Sequence, residues 1–116
     1  MKDLVMYIVI NKDLEMSTGK TAEQACHACT EYILNTFKDT SEEKKKLFDE
    51  WYYDCQKKIV LGAHYKDMQK ILKMPNVFPV YDLGLTEIEP NSLTAICLGI
   101  YDKSSVPNFV KRLRLL

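Results

Sequence analysis

Lys20, Gln24, His27 and Glu31 are separated by four, three and four residues in a stretch, Ser17–Tyr32, that reads as a helix. Such spacing lines them up along one side of it. Lys20 follows Gly19 at the start of that helix, and a cation beside exposed backbone N–H groups makes a place for a negatively charged group. Far along the chain, Asp82 closes an apolar strand just before Gly84, with Thr86 four residues on and Thr94 at the start of the next strand. The carboxyl ends of strands are where α/β sheets carry their sites. Each feature also has a plain structural account. The helix line could be a solvated face, and Asp82 could close its turn through its own side chain.

Other chemistries find less support. Cys26, His27 and Cys29 resemble metal ligands in type, but a helix projects neighbours about a hundred degrees apart, so Cys26 and His27 do not converge. No second Cys or His pair has zinc-site spacing, and His64 stands alone. The expectation is no metal, with Cys26 and Cys29 as small core residues. There is no G-x-S-x-G nucleophile turn and no Walker A or dinucleotide-binding glycine pattern.

The elements that must position these residues follow from periodicity and punctuation. The run LVMYIVI, Leu4 to Ile10, reads as a strand buried on both faces. A helix is expected over Thr21–Phe37, capped by Thr21, Thr18 or Ser17, with Ala22, Ala25, Cys26, Cys29, Ile33 and Phe37 as its buried stripe. A second helix starts after Ser41, with acidic residues in its first turn. Lys57–Ala63 reads as a strand, KDMQKILKM as a short helix stopped by Pro75, and VFPVYDLG as a strand whose Pro79 marks an edge. Leu93–Tyr101 is a further strand, and SSVPNFVKRLRLL a closing helix with Val106, Phe109, Val110 and Leu113 facing inward. The fold class is therefore α/β: one domain over residues 1–116, a three-layer sandwich with a four-stranded mixed sheet and helices on both faces.

The chain has 116 residues, about half of them hydrophobic, and 16 basic against 16 acidic side chains. Zero net charge restricts any nucleic-acid site to a local patch. The first apolar run is too short for a signal sequence, and none reaches membrane-spanning length. Cytoplasmic location, reduced thiols and no membrane partner are expected.

Four segments together resemble a known family. GKTAEQACHA is similar to the G-K-x-A-x-Q-x-x-H-A signature of the archaeal and eukaryotic type of peptidyl-tRNA hydrolase. VMYIVINKDLEMSTGK resembles that family's first strand and loop, QKKIVL its second strand, and DLGLTEIEPNSLTAICLGI its D-A-G-x-T-x-I-x-x-G-S-x-T stretch and last strand. They occur in the family's order across nearly the whole chain. The resemblance implies a frequently homodimeric, metal- and cofactor-free hydrolase of the ester between a peptide and the tRNA 3′ end. It assigns catalysis to Lys20, Asp82, Thr86 and Thr94, and substrate contacts to Gln24, His27 and Lys58. On this view Asp82 orients or deprotonates a water, and Lys20 holds a phosphate or stabilises the oxyanion. Thr86 and Thr94 position the water or donate to that oxyanion. Lys20 close to Asp82 would lower the carboxyl pKa, which favours positioning of water over full proton abstraction.

The chain departs from the pattern at three places. Leu85 and Gly62 stand where the family usually has basic residues, a loss of one or two phosphate contacts. Lys57, Lys58, Lys66, Lys70, Lys73, Lys111, Arg112 and Arg114 are the cations that could take over. Asn91 replaces a glycine, and asparagine tolerates the left-handed backbone such a turn needs. Two rivals share this fold: a non-catalytic tRNA- or protein-binding module, which the two lost cations favour, and an esterase for another acyl substrate.

Overall fold

The computed structural model describes residues 2–83 and 87–116. Strand β1 (Leu4–Asn11) is buried from end to end. Its even-numbered side chains Met6, Ile8 and Ile10 enter one core, and Val5, Tyr7 and Val9 enter another on the opposite face, as the two-residue repeat of a strand demands. Helices α1 (Thr18–Lys38) and α2 (Glu42–Asp54) cover the first core with Ala28, Tyr32, Phe48 and Trp51. Helices α3 (Tyr65–Ile71) and α4 (Asn108–Lys111) cover the second with Met68, Ile71 and Val110. No helix among the described residues is long and apolar enough to cross a membrane.

The sheet is mixed. Its remaining strands are β2 (Lys58–Ala63), β3 (Phe78–Tyr81), β4 (Leu93–Asp102) and β5 (Arg114–Leu115), in the spatial order β3-β4-β1-β2-β5. β2 runs parallel to β1, while β4 is antiparallel to β1, β3 to β4 and β5 to β2. β3 is an edge strand, as Pro79 suggests. The expected strand count is corrected from four to five. The closing segment is only four helical residues after Pro107, and then Arg114 and Leu115 pair with Gly62 and Leu61. The Leu116 N–H extends the pairing to the Val60 carbonyl at 3.0 Å. A two-residue strand with both residues exposed leaves no hydrophobic period to read.

Helix α1 also begins earlier and faces another way than its apolar residues suggest. Ser17 is the N-cap, its side chain accepting from the Lys20 N–H at 3.2 Å. The inward line is Lys20, Gln24, Ala28, Tyr32 and Thr36. Ala22, Cys26 and Phe37 are exposed, and Ala25, Cys29 and Ile33 are half-buried at the edge of the core. Two inward polar side chains find buried partners, so hydrophobicity alone misplaces the face.

Candidate active site

β1, β2 and β3 all point the same way, since β3 and β1 are both antiparallel to β4. Their carboxyl ends open on one side of the sheet, where β4 begins and α1 starts. Asp82 directly follows β3, Thr94 is the second residue of β4, and Lys20 and Gln24 lie on the first two turns of α1. All four side chains are buried: Lys20 is 8 % exposed, Gln24 1 %, Asp82 9 % and Thr94 0 %.

The four make one connected cluster. Lys20 Nζ donates to Asp82 Oδ1 at 2.9 Å, and Gln24 Nε2 donates to the same oxygen at 3.2 Å. The Thr94 hydroxyl lies 2.5 Å from Gln24 Oε1 and 3.3 Å from the Val80 carbonyl, both acceptors for its single proton. Donation to Oε1 turns the amide so that its N–H₂ faces Asp82. The bond to Asp82 raises the Lys20 pKa above the usual lysine value, and burial pulls the other way. A cavity of about 300 Å³ opens over the cluster, walled by Glu23, His27, Tyr81 and Leu83 among others.

The backbone around Asp82 is pinned as well. Its N–H donates to the Ser92 carbonyl at 3.0 Å, and its carbonyl accepts from the Asn91 N–H at 2.6 Å. Asn91 has φ +64°, the left-handed backbone expected of it. The buried side chain of Asn11, at the end of β1, donates to the Leu93 carbonyl at 2.9 Å and so fixes the residue before Thr94. Glu87 grips the start of α1. One carboxylate oxygen accepts from the Ser17 N–H at 2.9 Å, and the other accepts from the Ser17 hydroxyl. These bonds hold the Glu87 carboxyl below the usual glutamate range.

The remaining sequence-derived site residues fare differently. Thr86, with Gly84 and Leu85, lies outside the described residues. His27 stands at the rim of the cavity, more than half exposed, with Nε2 3.4 Å from Glu23 Oε1. Glu31, aligned with it in sequence, is exposed. Lys58 is not brought to the cluster. It starts β2 at the level of Met6, near the other end of the sheet, with Nζ 5.0 Å from the centre of the Trp51 ring. Cys26 is exposed rather than in the core, while Cys97 is fully buried, its thiol pushed up to about 12 by desolvation. At Gly62 a Cβ would stand 2.7 Å from the Lys12 side chain, so the Lys12 stem already crosses the place of the missing basic residue.

Sequence reasoning missed Asn11, Glu87 and Glu23. Asn11 had a signal, a polar residue closing a doubly buried strand. Glu87 had none, because its partner Ser17 is 70 residues away.

Comparison with known proteins shows the family. The family model for peptidyl-tRNA hydrolase PTH2 matches residues 4–116. A peptidyl-tRNA hydrolase of Pyrobaculum aerophilum is 41 % identical over 104 residues, covering 84 % of each chain. One of Methanococcus maripaludis is 37 % identical over 115 residues, covering 94 % of this chain and 96 % of its own. One of Staphylothermus marinus is 34 % identical over 115 residues, covering 94 % and 92 %. With a match over nearly its full length, and with Lys20, Gln24, Asp82 and Thr94 gathered at one end of the sheet, the chain belongs to the PTH2 family of peptidyl-tRNA hydrolases.

Proposed function

We propose that this chain hydrolyses the ester joining a peptide to the 3′ end of tRNA, and that the Lys20–Gln24–Asp82–Thr94 cluster carries the reaction. The observation that supports this most is the buried Lys20–Asp82 pair on the floor of an open cavity. Burying an ion pair is a poor way to gain stability, since apolar residues of similar volume do as well or better. Such pairs in a cleft mark functional sites.

Asp82 orients the water that attacks the ester carbonyl carbon. A carboxylate already accepting from Lys20 and Gln24 is better suited to fix a water than to strip a proton from it. The tetrahedral oxyanion forms at the mouth of the cluster, where the Lys20 ammonium stabilises it. The carbonyl–oxygen bond to the ribose then breaks, the ribose oxygen takes up one proton of the attacking water, the other passes to solvent, and free tRNA and a peptide carboxylate leave. Thr94, buried behind Gln24, acts as a positioning residue that sets the amide. Thr86 joins this machinery on the strength of the resemblance. Lys12, whose stem crosses Gly62, and Arg114, which pairs with Gly62, supply cations for tRNA phosphates, with Lys58 as a further cation on β2 and His27 as a substrate contact at the cavity rim. The homodimer belongs to the same reading, with exposed Leu34, Phe37, Tyr52 and Tyr53 as the apolar surface it would cover.

Incubation of the purified protein with N-acetyl-aminoacyl-tRNA tests the function. Free tRNA should appear, at a rate that falls as salt rises. A folded protein that binds this substrate without cleaving it would be the binding module instead. Cleavage of simple acyl esters but not of the tRNA substrate would make it the other esterase.

A further inference from the structure

A second and larger cavity, of about 420 Å³, lies further along the same groove between α1 and β3. The first cavity is walled by Gln24 and His27 from α1 and by Val80 and Tyr81 from β3. The second is walled by Tyr32 and Asn35 from α1 and by Phe78 from β3, with Leu98 and Ile100 of β4 at its back. The Tyr32 and Phe78 rings, packed edge to face 5.7 Å apart, both line the second cavity. The eight residues from Gln24 to Tyr32 span about 12 Å of helix. An extended peptide covers that distance in three or four residues at about 3.3 Å each.

The chemistry of the second cavity fits a peptide and not a nucleic acid. Its back wall is apolar, and its lysine, Lys44, is held 2.8 Å from the Asp39 carboxylate. Cations that suit phosphates lie toward the opposite edge of the sheet, where the Lys12 stem crosses Gly62 and Arg114 pairs with Gly62 across β2 and β5. An ester seated at Asp82 therefore has its tRNA side toward β2 and β5, and its peptide side toward α1 and β3. Pro79 deprives the β3 edge of an N–H donor in mid-strand, which disfavours recognition by strand addition.

We propose that the second cavity is a subsite for the peptide of the substrate, taking an apolar side chain three or four residues before the ester. The inference rests on the hydrolase reading and deepens it. It concerns the peptide and leaves the reacting bond untouched.

The test is a series of N-acetylated peptidyl-tRNAs with one, two, four and six residues, those of four and six carrying either leucine or aspartate at the fourth position from the ester. With leucine, kcat/KM should rise roughly tenfold between two and four residues and then level off, the discrimination expected of an apolar pocket. With aspartate the rise should vanish. Asn35→Trp, at an exposed helix position on the cavity wall, should remove most of the rise by filling the space. Equal kcat/KM from one to six residues would overturn the subsite while leaving the hydrolase reading intact. An equal rise with leucine and aspartate would overturn it too. So would a loss in Asn35→Trp of the same size for one and six residues, since that would place the tRNA end in the cavity. No cleavage even of the one-residue substrate by folded wild-type protein would overturn the hydrolase reading, and the subsite with it.

Discussion

The inward line of α1 changes character along its length. At its start Lys20 and Gln24 lie under the strand ends, bound to Asp82 and Thr94. Further on, Ala28, Tyr32 and Thr36 continue the line, with Tyr32 against Phe78 and over Gly99. Gly99 sits at φ +87°, and a Cβ there would stand 2.9 Å from the Tyr32 ring. One end buries charge and amide, and the other buries ring and methyl. Among the described residues no buried side-chain nitrogen or oxygen lacks a hydrogen-bond partner, so the polar end is satisfied rather than defective. The apolar end gains from area removed from water, about 25 cal/mol per Å². The polar end gains little from burial and must be read for what it does.

Substitutions can separate the two ends. The largest effect is expected at Lys20. Lys20→Met should lower kcat by roughly 10²–10³-fold, the usual cost of one donor to an oxyanion, as read from single-turnover release of tRNA. At the other end, Gly99→Ala should cost about 2 kcal/mol or more in thermal or denaturant unfolding. Both a left-handed backbone and an overlap with Tyr32 oppose the new methyl. The fraction that stays folded should still turn over, and loss of activity without loss of stability would blur the division.

Thr94→Val sharpens the contrast, because it keeps the shape and removes the hydroxyl that orients Gln24. A fall of about tenfold in kcat is expected, with KM held, as for a residue that acts through another. A wild-type rate would remove Thr94 from the mechanism.

The smallest effect concerns the Ser17–Glu87 clamp. Its bonds lower the Glu87 pKa in the folded state. A group with a lowered value contributes stability above its unfolded value, and that contribution fades as pH falls through the lowered one. The pH–stability profile should therefore drop on the acid side of the glutamate range, followed by denaturant unfolding from neutral to about pH 3. Glu87→Gln carries no such titration and should show a flatter acid limb. Identical profiles for the two proteins would assign the acid limb to another group.

Much of the fold is legible in the sequence where one residue type can be satisfied in only one way. The unbroken apolar run of β1 demands a strand covered on both faces, Pro79 demands an edge, and Asn91 permits the left-handed turn beneath Asp82. The orientation of α1 is not legible from hydropathy. Lys20 and Gln24 turn inward because of Asp82 and Thr94, which lie 58 to 70 residues away. β5 escapes notice for a different reason, since two exposed residues carry no pattern. Lys20, Gln24, Asp82 and Thr94 stand out in the sequence as motif residues, and their clustering does not. The pairing of Lys20 with Asp82, the role of Thr94 behind Gln24 and the distance of Lys58 all depend on how the strands and α1 are brought together.

The central claim is that the charged end of α1 is a hydrolytic site organised around Asp82. The most direct measurement is single-turnover release of tRNA from N-acetyl-aminoacyl-tRNA by Asp82→Asn beside wild type, with the fold of both checked by circular dichroism. Asparagine keeps the size and removes the charge that Lys20 and Gln24 hold. The account predicts a fall of roughly 10²–10⁴-fold in rate with the fold unchanged. A rate within twofold of wild type would contradict it.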